Sequence, residues 1–423
     1  MRILLTGANG FIGRYLLARL VAEGHEVIPA VRRPAETDRL LVKPASIRVD
    51  FNRDCSPADW LPRLAGIDAV INCAGILQGS PGQSIAAIHA EAPIALFKAC
   101  ELAGVRRVIQ ISAISAGADT DYARTKAAAD AALAASSLDW MILRPSLVYA
   151  SGAYGGTALF RALAVLPFAI PLIGAGEQLF QPIHVDDLCA MIVAILASPQ
   201  LRQKIVEPVG PQRIALKDIL VDLRRWLGFS PAPLLHIPPA IVGVAARIGD
   251  VVGGTVNTTA LRQLEFDNAG SFEALVAATG IRPRGWHEML LAHPAQPQDR
   301  WAARLYFLRP ALRWAIAAVW ILSAVAGLVH RTALVGSFAF AGVALTMPVI
   351  LLTSILDLIV GAAVLTRWRP RMATIVQLTV VAGYTAVLTL AQPSLWLEPF
   401  GPLLKNIPFV LAVLVLSVLE SER

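Results

Sequence analysis

The chain has few charged residues and few cysteines for its size. Only 16% of its 423 residues are charged, and the mean hydropathy of +0.60 is far above that of a soluble protein, which favours a membrane-associated part of the chain. The cysteines Cys55, Cys73, Cys100 and Cys189 lack the spacing of metal ligands. They predict reduced, mostly buried thiols, and we expect no bound metal.

Other patterns are missing as well. The sequence has no internal repeat, no low-complexity array and no basic and aromatic pattern typical of nucleic-acid binding. The first apolar stretch is short and interrupted by glycines, so we expect no signal peptide. The expected partners are a small lipophilic molecule or quinone and a lipid bilayer, and the oligomeric state stays open.

The N-terminal segment predicts a phosphate-binding turn. An apolar run from Ile3 to Thr6 favours a buried parallel strand, and an apolar helix pattern follows from Phe11. Between them, glycines at three-residue spacing allow a tight turn, a close approach of pyrophosphate and close helix packing. The predicted nucleotide contacts here are Thr6, Gly7, Asn9, Gly10, Phe11, Ile12 and Gly13. The alternative is a glycine-rich turn that binds nothing.

Alternating strands and helices follow and predict a doubly wound parallel sheet in an α/β fold. The second strand ends at Arg32 and Arg33, which suit the extra phosphate of NADP better than the ribose hydroxyls of NAD. The third strand ends at Asp50 and Phe51, where the adenine is expected. The fourth strand ends in Cys73, Ala74 and Gly75, small residues over which a cofactor can lie.

A proton-donor pair follows the fifth strand. Tyr122 and Lys126 are four residues apart on one predicted helix face, so the ammonium is expected to lower the pKa of the phenol. Ser112 ends the strand and could hold the same substrate oxygen. The alternative for this spacing, which is common by chance, is an exposed helix start.

These motifs resemble the short-chain dehydrogenase/reductase superfamily, in its extended or atypical branch, over residues 1 to about 295. The matching segments are T-G-A-N-G-F-I-G at 6–13, L-R-P-S-L-V-Y at 143–149, Q-P-I-H-V-D-D-L at 181–188 and E-P-V-G-P at 207–211. The closest likeness is to the group of the 39-kilodalton-type accessory subunit of respiratory complex I. The resemblance implies a Rossmann-type fold with Tyr122 as acid/base, Lys126 on the nicotinamide ribose and Ser112 on the substrate oxygen.

The chain departs from that family pattern at two places. Ser112 is closer to Tyr122 than in many active members, and Ser115 is a rival for the serine role. His89 stands where many members carry an asparagine. A water-mediated proton relay through that position is therefore in question, and some atypical members bind the nucleotide without catalysing a reaction.

The last quarter of the chain predicts an all-α membrane domain with four spans. Apolar runs close to membrane-spanning length cover 311–329, 348–365, 373–390 and 407–419. The apolar stretch 333–346 predicts a half-membrane or interfacial segment broken at Pro348. A buried soluble helical bundle is the alternative.

Basic residues orient the predicted spans. They cluster before the first span and between the second and third, at Arg300, Arg304, Arg309, Arg313, Arg367, Arg369 and Arg371. The positive-inside rule then predicts a multi-pass protein of a bacterial-type inner membrane, with the nucleotide domain and the C-terminus in the cytoplasm. Asp357, within the second span, is expected to face the bundle interior near Ser354, with Lys405 as the nearest cation.

Residues 304–423 resemble the DoxX-like four-span membrane family. The supporting segments are 305–310, 356–361, 383–385 and 399–406, the last being the most specific. Distant relatives in thiosulfate:quinone oxidoreductases hint at quinone contact. The predicted domains are a nucleotide domain at 1–295, with a substrate lobe from about 150, a polar linker at 296–303 and the membrane domain at 304–423.

Two apolar segments of the substrate lobe, 167–172 and 238–242, predict core, a lipophilic pocket or a bilayer-facing surface. The leading hypothesis is a membrane-tethered, NADP-preferring oxidoreductase for a lipophilic carbonyl, alcohol or quinone, with NAD as an alternative cofactor. The rival is a non-catalytic nucleotide-binding assembly or sensor subunit. Nucleotide-sugar epimerisation or dehydration is a weaker third option.

Overall fold

The computed structural model describes residues 1–33, 45–80, 82–114, 119–252, 257–337, 343–399 and 401–421. The chain divides into two compact units, Met1–Ala303 and Arg304–Arg423. Ser115, the rival serine, lies outside the described residues.

The first unit is built on a parallel sheet. The strands of the chain are β1 Arg2–Thr6, β2 Glu26–Val31, β3 Ile47–Arg48, β4 Ala69–Asn72, β5 Arg107–Ile111, β6 Asp139–Leu143, β7 Val148–Tyr149, β8 Ile170–Ile173, β9 Leu179–Phe180, β10 Ile183–His184, β11 Lys204–Val206, β12 Ile214–Ala215 and β13 Leu234–Ile237. Seven of them form one sheet in the order β11-β6-β5-β4-β1-β2-β3. The order reverses at β1, so the strand ends on both sides of it border a crevice.

Helices cover both faces of this sheet and form the C-terminal unit. Their bounds are α1 Phe11–Ala22, α2 Pro57–Trp60, α3 Ala92–Ala103, α4 Asp121–Ala134, α5 Gly155–Ala164, α6 Val185–Ala197, α7 Leu216–Trp226, α8 Pro239–Val252, α9 Thr258–Gln263, α10 Phe272–Thr279, α11 Trp286–Ala292, α12 Pro297–Val329, α13 Arg331–Ser337, α14 Val343–Leu365, α15 Pro370–Ala391 and α16 Asn406–Ser421. Two apolar cores lie on the two faces of the sheet, as a doubly wound fold requires.

The predicted fold class is confirmed, with local differences. The family-like segment 143–149 spans the end of β6 and all of β7, and β7 leaves the main sheet to pair with β10. A π-helical turn, Ala87–Glu91, precedes α3. That turn carries His89 into the interior, where 1% of the residue is exposed.

The substrate lobe has its own apolar core around α5, α7 and α11. Short two-stranded pairs frame it, β8 with β13, β9 with β12 and β7 with β10. The segment 167–172 is partly core, since Ile170 and Leu172 are buried, whereas Phe168 is 87% exposed. The segment 238–242 is largely exposed and carries Ile241 on the surface.

The second unit contains apolar helices of membrane-spanning length. Among the described residues three qualify by length and composition, within Pro297–Val329, Met347–Leu365 and Pro370–Ala391, and the apolar helix Asn406–Glu420 is shorter. The expected break at Pro348 is wrong, because α14 begins at Val343 and continues through the proline. The segment 296–303, predicted as a linker, forms the first two turns of α12 from Pro297 onward.

Polar groups inside this helical unit are paired. Asp357 is 7% exposed and accepts a hydrogen bond from the Tyr384 hydroxyl at 3.0 Å. It faces inward as expected, but its described partner is this phenol rather than Lys405. The Arg313 guanidinium pairs with the Glu420 carboxylate at 2.5 Å, which joins α12 to the end of α16.

Candidate active site

The glycine turn after β1 has the geometry of an anion site. Gly7 has a φ of +65°, and a Cβ there would lie 2.6 Å from the Cys73 carbonyl oxygen. A Cβ on Gly13 would overlap the Gly7 carbonyl oxygen. Gly10 caps α1 with extended backbone and without a side-chain hydrogen bond. Because Gly10 has no side chain to cap the helix, the first N–H groups of α1 can donate to a pyrophosphate.

Buried polar side chains fix the strand ends beneath this turn. The Thr6 hydroxyl donates to the Asn72 side-chain oxygen, and the Asn72 amide donates to Gln110 at 2.7 Å. All three are fully buried at the ends of β1, β4 and β5. Because buried amides and hydroxyls need partners, this ladder holds the three adjacent strand ends in register.

The predicted adenine and ribose contacts lie at the ends of β2 and β3. Arg32 and Arg33 are exposed, and the Arg32 guanidinium lies 2.6–2.8 Å from the Gln83 amide when its oxygen faces the arginine. The Asp50 carboxylate accepts from the Asn52 backbone N–H at 3.1 Å. The Phe51 ring is 7% exposed and packs on Trp60, so it faces the core rather than a bound nucleotide.

Tyr122 and Lys126 lie on the inward face of α4. Lys126 is 4% exposed, and its Nζ donates to the Ile111 carbonyl at 3.1 Å. The same Nζ would lie 3.2 Å from a Cβ placed on Gly75. Because Gly75 has no side chain, the Lys126 ammonium group can lie close to the backbone that follows β4. This places Lys126 beside the end of β4 where the sequence predicts the cofactor.

Burial changes the acidity of both groups. It lowers the pKa of Lys126 to about 8, and it raises the pKa of Tyr122 to about 12, with a further rise from the nearby Asp130 carboxylate. The expectation that the ammonium would lower the pKa of the phenol is wrong, because desolvation dominates. Tyr122 therefore stays protonated at neutral pH and is suited to donate a proton.

The Ser112 hydroxyl is hydrogen-bonded within the protein. Its hydroxyl donates to the Asp130 carboxylate at 2.9 Å, and Arg144 Nε donates to the same oxygen at 2.8 Å. Asp130 is 2% exposed. Sequence reasoning missed this group, although an acid four residues after Lys126 in an alanine-rich helix was a signal for it.

His89 lies against the tyrosine. The two rings are 5.3 Å apart between centroids, at 82°. His89 Nε2 accepts from the Ile76 backbone N–H at 3.0 Å, so Nδ1 carries the proton and donates to the Thr125 hydroxyl at 3.1 Å. Burial and the neighbouring Lys126 lower the pKa of His89 to about 3, which keeps it neutral.

The parts of this site fit a dinucleotide. The start of α1 offers backbone N–H donors to phosphate, and Lys126 lies close to Gly75 after β4, where a nicotinamide ribose is expected. Residues 7–163 match a family described as NAD(P)H-binding, and residues 317–414 match the DoxX-like family. A 3-diazoavenalumate denitrifying reductase from Streptomyces sp is 30% identical over 240 residues, covering 47% of this chain and 73% of that protein.

The chain belongs to the NAD(P)H-binding short-chain dehydrogenase/reductase family and carries a DoxX-like domain.

Other relatives of this dehydrogenase/reductase chain differ in named function. A ceramide reductase from Caulobacter vibrioides is 25% identical over 259 residues, 60% of this chain and 80% of that protein. The NADH dehydrogenase [ubiquinone] 1 alpha subcomplex subunit 9 of Arabidopsis thaliana is 30% identical over 240 residues, 54% and 59% of the two chains. An uncharacterised Mycobacterium tuberculosis protein is 26% identical over 254 residues, and the match spans only 26% of its length.

Solved structures confirm the dehydrogenase/reductase fold. A dTDP-glucose 4,6-dehydratase from Streptomyces venezuelae, with NAD bound, aligns with a TM-score of 0.52 and 20% identity over 70% of this chain and 96% of its own. The same enzyme type from Bacillus anthracis aligns with a TM-score of 0.54 and 14% identity over 71% and 97%. At these identities the likeness shows the fold alone.

One group in the dehydrogenase/reductase unit has the spacing of metal ligands. His184, Asp186 and His293 place their ligand atoms within 4.8 Å of one another. Protein contacts already engage these groups: His184 Nδ1 accepts from the Asp186 backbone N–H at 3.3 Å and thereby caps α6, and the two imidazoles stack at 4.8 Å. His184 therefore has a structural role at the start of α6.

Proposed function

We propose that this chain is a membrane-anchored, NADP-preferring reductase of a lipophilic carbonyl compound. The observation that carries the proposal is the position of Tyr122 and Lys126 on one face of α4, with the Lys126 ammonium group close to Gly75 after β4. The cofactor supplies a hydride when bound. Lys126 would hold its ribose, and Tyr122 would donate a proton to the oxygen of the carbonyl being reduced.

The protonation state of the phenol fits the proposed role. With a pKa near 12, Tyr122 is protonated at neutral pH, which is the form that donates a proton to the developing alkoxide.

The preference for NADP rests on the end of β2. Arg32 and Arg33 are exposed at the position where NAD-preferring members place an acid. A guanidinium there can make charge-assisted hydrogen bonds to a 2′-phosphate. NAD remains the alternative cofactor.

A lipophilic substrate is supported by two features. The chain carries a DoxX-like domain with three helices long and apolar enough to span a membrane, which brings the site to a bilayer. The relative from Caulobacter vibrioides is named a ceramide reductase, and ceramide is a membrane lipid. A quinone is the alternative lipid-phase acceptor.

We also propose that the protein is a multi-pass protein of a bacterial inner membrane with its nucleotide domain and C-terminus in the cytoplasm. The basic segments before α12 and between α14 and α15 support this orientation. The pairing of Arg313 with Glu420 puts the start of the first apolar stretch and the end of α16 at one end of the helical unit. An even number of membrane crossings also returns the chain to the side on which it started.

Turnover with and without Tyr122 tests the proposal. Full-length protein in lipid vesicles is supplied with NADPH and a long-chain ketone, and NADPH oxidation is followed by absorbance. We expect Tyr122→Phe to lower kcat at least 100-fold, the usual contribution of a general acid, with nucleotide affinity nearly unchanged. Equal rates for the two proteins would show that Tyr122 is structural.

One observation favours a second function, a nucleotide-binding subunit without turnover. The Ser112 hydroxyl is bound to Asp130 and His89 Nε2 is bound to the Ile76 N–H, so neither is available to a substrate in this arrangement. The Arabidopsis thaliana relative is named as a subunit of NADH dehydrogenase. Tight NADPH binding with no oxidation of it by any lipid-phase acceptor would favour this function.

A further inference from the structure

Helix α8 exposes two of its large apolar side chains. Ile241 is 61% exposed and Val244 is 60% exposed, while the buried positions among the described side chains of α8 are the small residues Ala246 and Gly249. A surface helix of a soluble domain has the opposite arrangement, with its large apolar side chains facing the core. The outward side of α8 is therefore arranged to meet an apolar medium.

The neighbouring strand extends this surface. β13 ends at Ile237, two residues before α8, and carries Leu234 and Leu235 at 37% and 54% exposure. We call Leu234, Leu235, Ile241 and Val244 the α8 face. Four large apolar side chains exposed on adjacent elements are characteristic of an interaction surface rather than of ordinary solvent-exposed protein.

Hydrogen bonds join α8 to the mouth of the active site. Asp250, near the end of α8, accepts from the Gln78 side chain at 3.0 Å, and Gln78 lies three residues after Gly75. The next helix, α9, is tied to the other wall, because the Gln263 amide donates at 2.8 Å to the hydroxyl of Thr120, the N-cap of α4. The C-terminal end of α8 thus lies next to the segments that carry Gly75 and Tyr122.

The charge and context of the α8 face fit a lipid bilayer. Between Leu234 and Gly249 the ionisable residues are His236 and Arg247, both exposed, and the first acid is Asp250, which is held by Gln78. An apolar face with a cation and no free acid is the composition of a helix that lies in the membrane interface. The chain carries its own membrane-spanning helices, so a bilayer is always within reach.

We propose that the α8 face docks into the interfacial region of the bilayer, so that the active site opens at the lipid surface and receives its substrate from the membrane. The second half of this statement rests on the proposed function, and the first half does not. Contact with lipid would let a long-chain substrate enter without crossing water, where the exposure of each of its methylenes costs about 0.8 kcal/mol.

Lipid contact is tested by quenching in the full-length protein. Val244→Cys is labelled with nitrobenzoxadiazole and reconstituted in vesicles of phosphatidylcholine and phosphatidylglycerol that contain a doxyl-labelled lipid. The matched control is Leu102→Cys, an apolar position on α3 that is 69% exposed. The unsubstituted chain, which has four cysteines of its own, gives the labelling background.

We expect the label at 244 to be blue-shifted and quenched several-fold more than the label at 102. Equal and weak quenching at the two positions would overturn the proposal, and equal strong quenching would as well, because it would mean general adsorption rather than docking of α8. If a lysate protein blue-shifts the label at 244 and lipid does not, the α8 face binds a protein and the proposal is wrong.

Delivery of the substrate is tested separately. The double variant Ile241→Asn and Val244→Asn should lose at least tenfold in kcat/KM for a long-chain ketone in vesicles, but keep its kcat/KM for a short water-soluble ketone. Equal loss with both ketones would contradict delivery from the membrane. If the unsubstituted protein does not turn over either ketone, the proposed function is contradicted. The quenching result would still decide whether the α8 face contacts lipid.

Discussion

Tyr122, Lys126 and Asp130 follow one another at four-residue intervals on the inward face of α4, and burial changes the acidity of each. It raises the pKa of the phenol and of the carboxyl and lowers that of the ammonium. Spacing alone predicts that the three are neighbours. It does not predict the direction of the shift at Tyr122, because that depends on how completely the surrounding chain excludes water.

The lowered pKa of Lys126 predicts a pH dependence of cofactor binding. Below about pH 8 the side chain is charged and attracts the anionic nucleotide, and above that pH it becomes neutral. We expect NADPH affinity to fall several-fold as the pH rises through about 8, measured by calorimetry. Lys126→Met should bind weakly and without this step, and an unchanged step in that variant would assign the titration to another group.

Arg32 carries the prediction of cofactor preference. Its exposed guanidinium is expected to bind the 2′-phosphate, and a hydrogen bond to a charged group is worth about 1.5–3 kcal/mol. Arg32→Ala should therefore weaken NADPH binding by roughly tenfold or more and leave NADH binding nearly unchanged. Arg225→Ala, at a guanidinium with 78% side-chain exposure, is the control. An equal loss of affinity for NADPH and NADH would show that Arg32 does not select the phosphorylated cofactor.

Among the secondary-structure elements, β1, the glycine turn and α1 pack so closely that a side chain on Gly13 has no room. A Cβ on Gly13 would overlap the Gly7 carbonyl oxygen, so the start of α1 would have to move away from β1. Gly13→Ala should abolish measurable NADPH binding while the circular dichroism spectrum stays near that of the parent. Gly24→Ala, where nothing lies within 4 Å, tests whether a general loss of stability is the cause. Retained binding in Gly13→Ala would mean that the turn does not hold the nucleotide.

The helices of the C-terminal unit are joined by a buried ion pair. Arg313 and Glu420 have side-chain exposures of 12% and 7%. Removing one partner leaves the other charge buried, which costs about 3–5 kcal/mol. Arg313→Gln should lower the melting temperature in detergent, and adding Glu420→Gln should restore part of it. Arg371→Gln, at an exposed residue, should change the melting temperature little. An equal decrease for Arg371→Gln and Arg313→Gln would show that the ion pair does not stabilise the helical unit.

The sequence predicted elements more accurately than their partners. Apolar runs and glycine spacing located β1 to β5 of the main sheet, but not β6 or β11, and they located the apolar helices α12, α14, α15 and α16. They placed a break at Pro348, where α14 is continuous, and a linker at 296–303, where α12 begins. Hydropathy reports length and composition, whereas the position of a helix end depends on packing and on backbone hydrogen bonds.

At the scale of the whole molecule, the chain joins an NAD(P)-binding reductase fold to a membrane domain. The two domains were recognisable from composition because the excess of apolar residues lies in the last quarter. The contacts that define the site were not recognisable in the same way. Ser112 binds Asp130, Phe51 faces the core and His89 binds a backbone N–H, and each depends on residues distant in sequence. Site residue types could be predicted, but not which of their atoms remain available.

Isotope transfer is the most direct measure of the proposed hydride transfer from NADPH to a lipid-phase carbonyl. Full-length protein in its own membrane lipids receives NADPH with deuterium on the transferable nicotinamide carbon, and the lipids are analysed by mass spectrometry. We expect a lipid alcohol with one carbon-bound deuterium, and we expect it to be absent with Tyr122→Phe. Bound NADPH that stays unoxidised, with no labelled lipid, would contradict it.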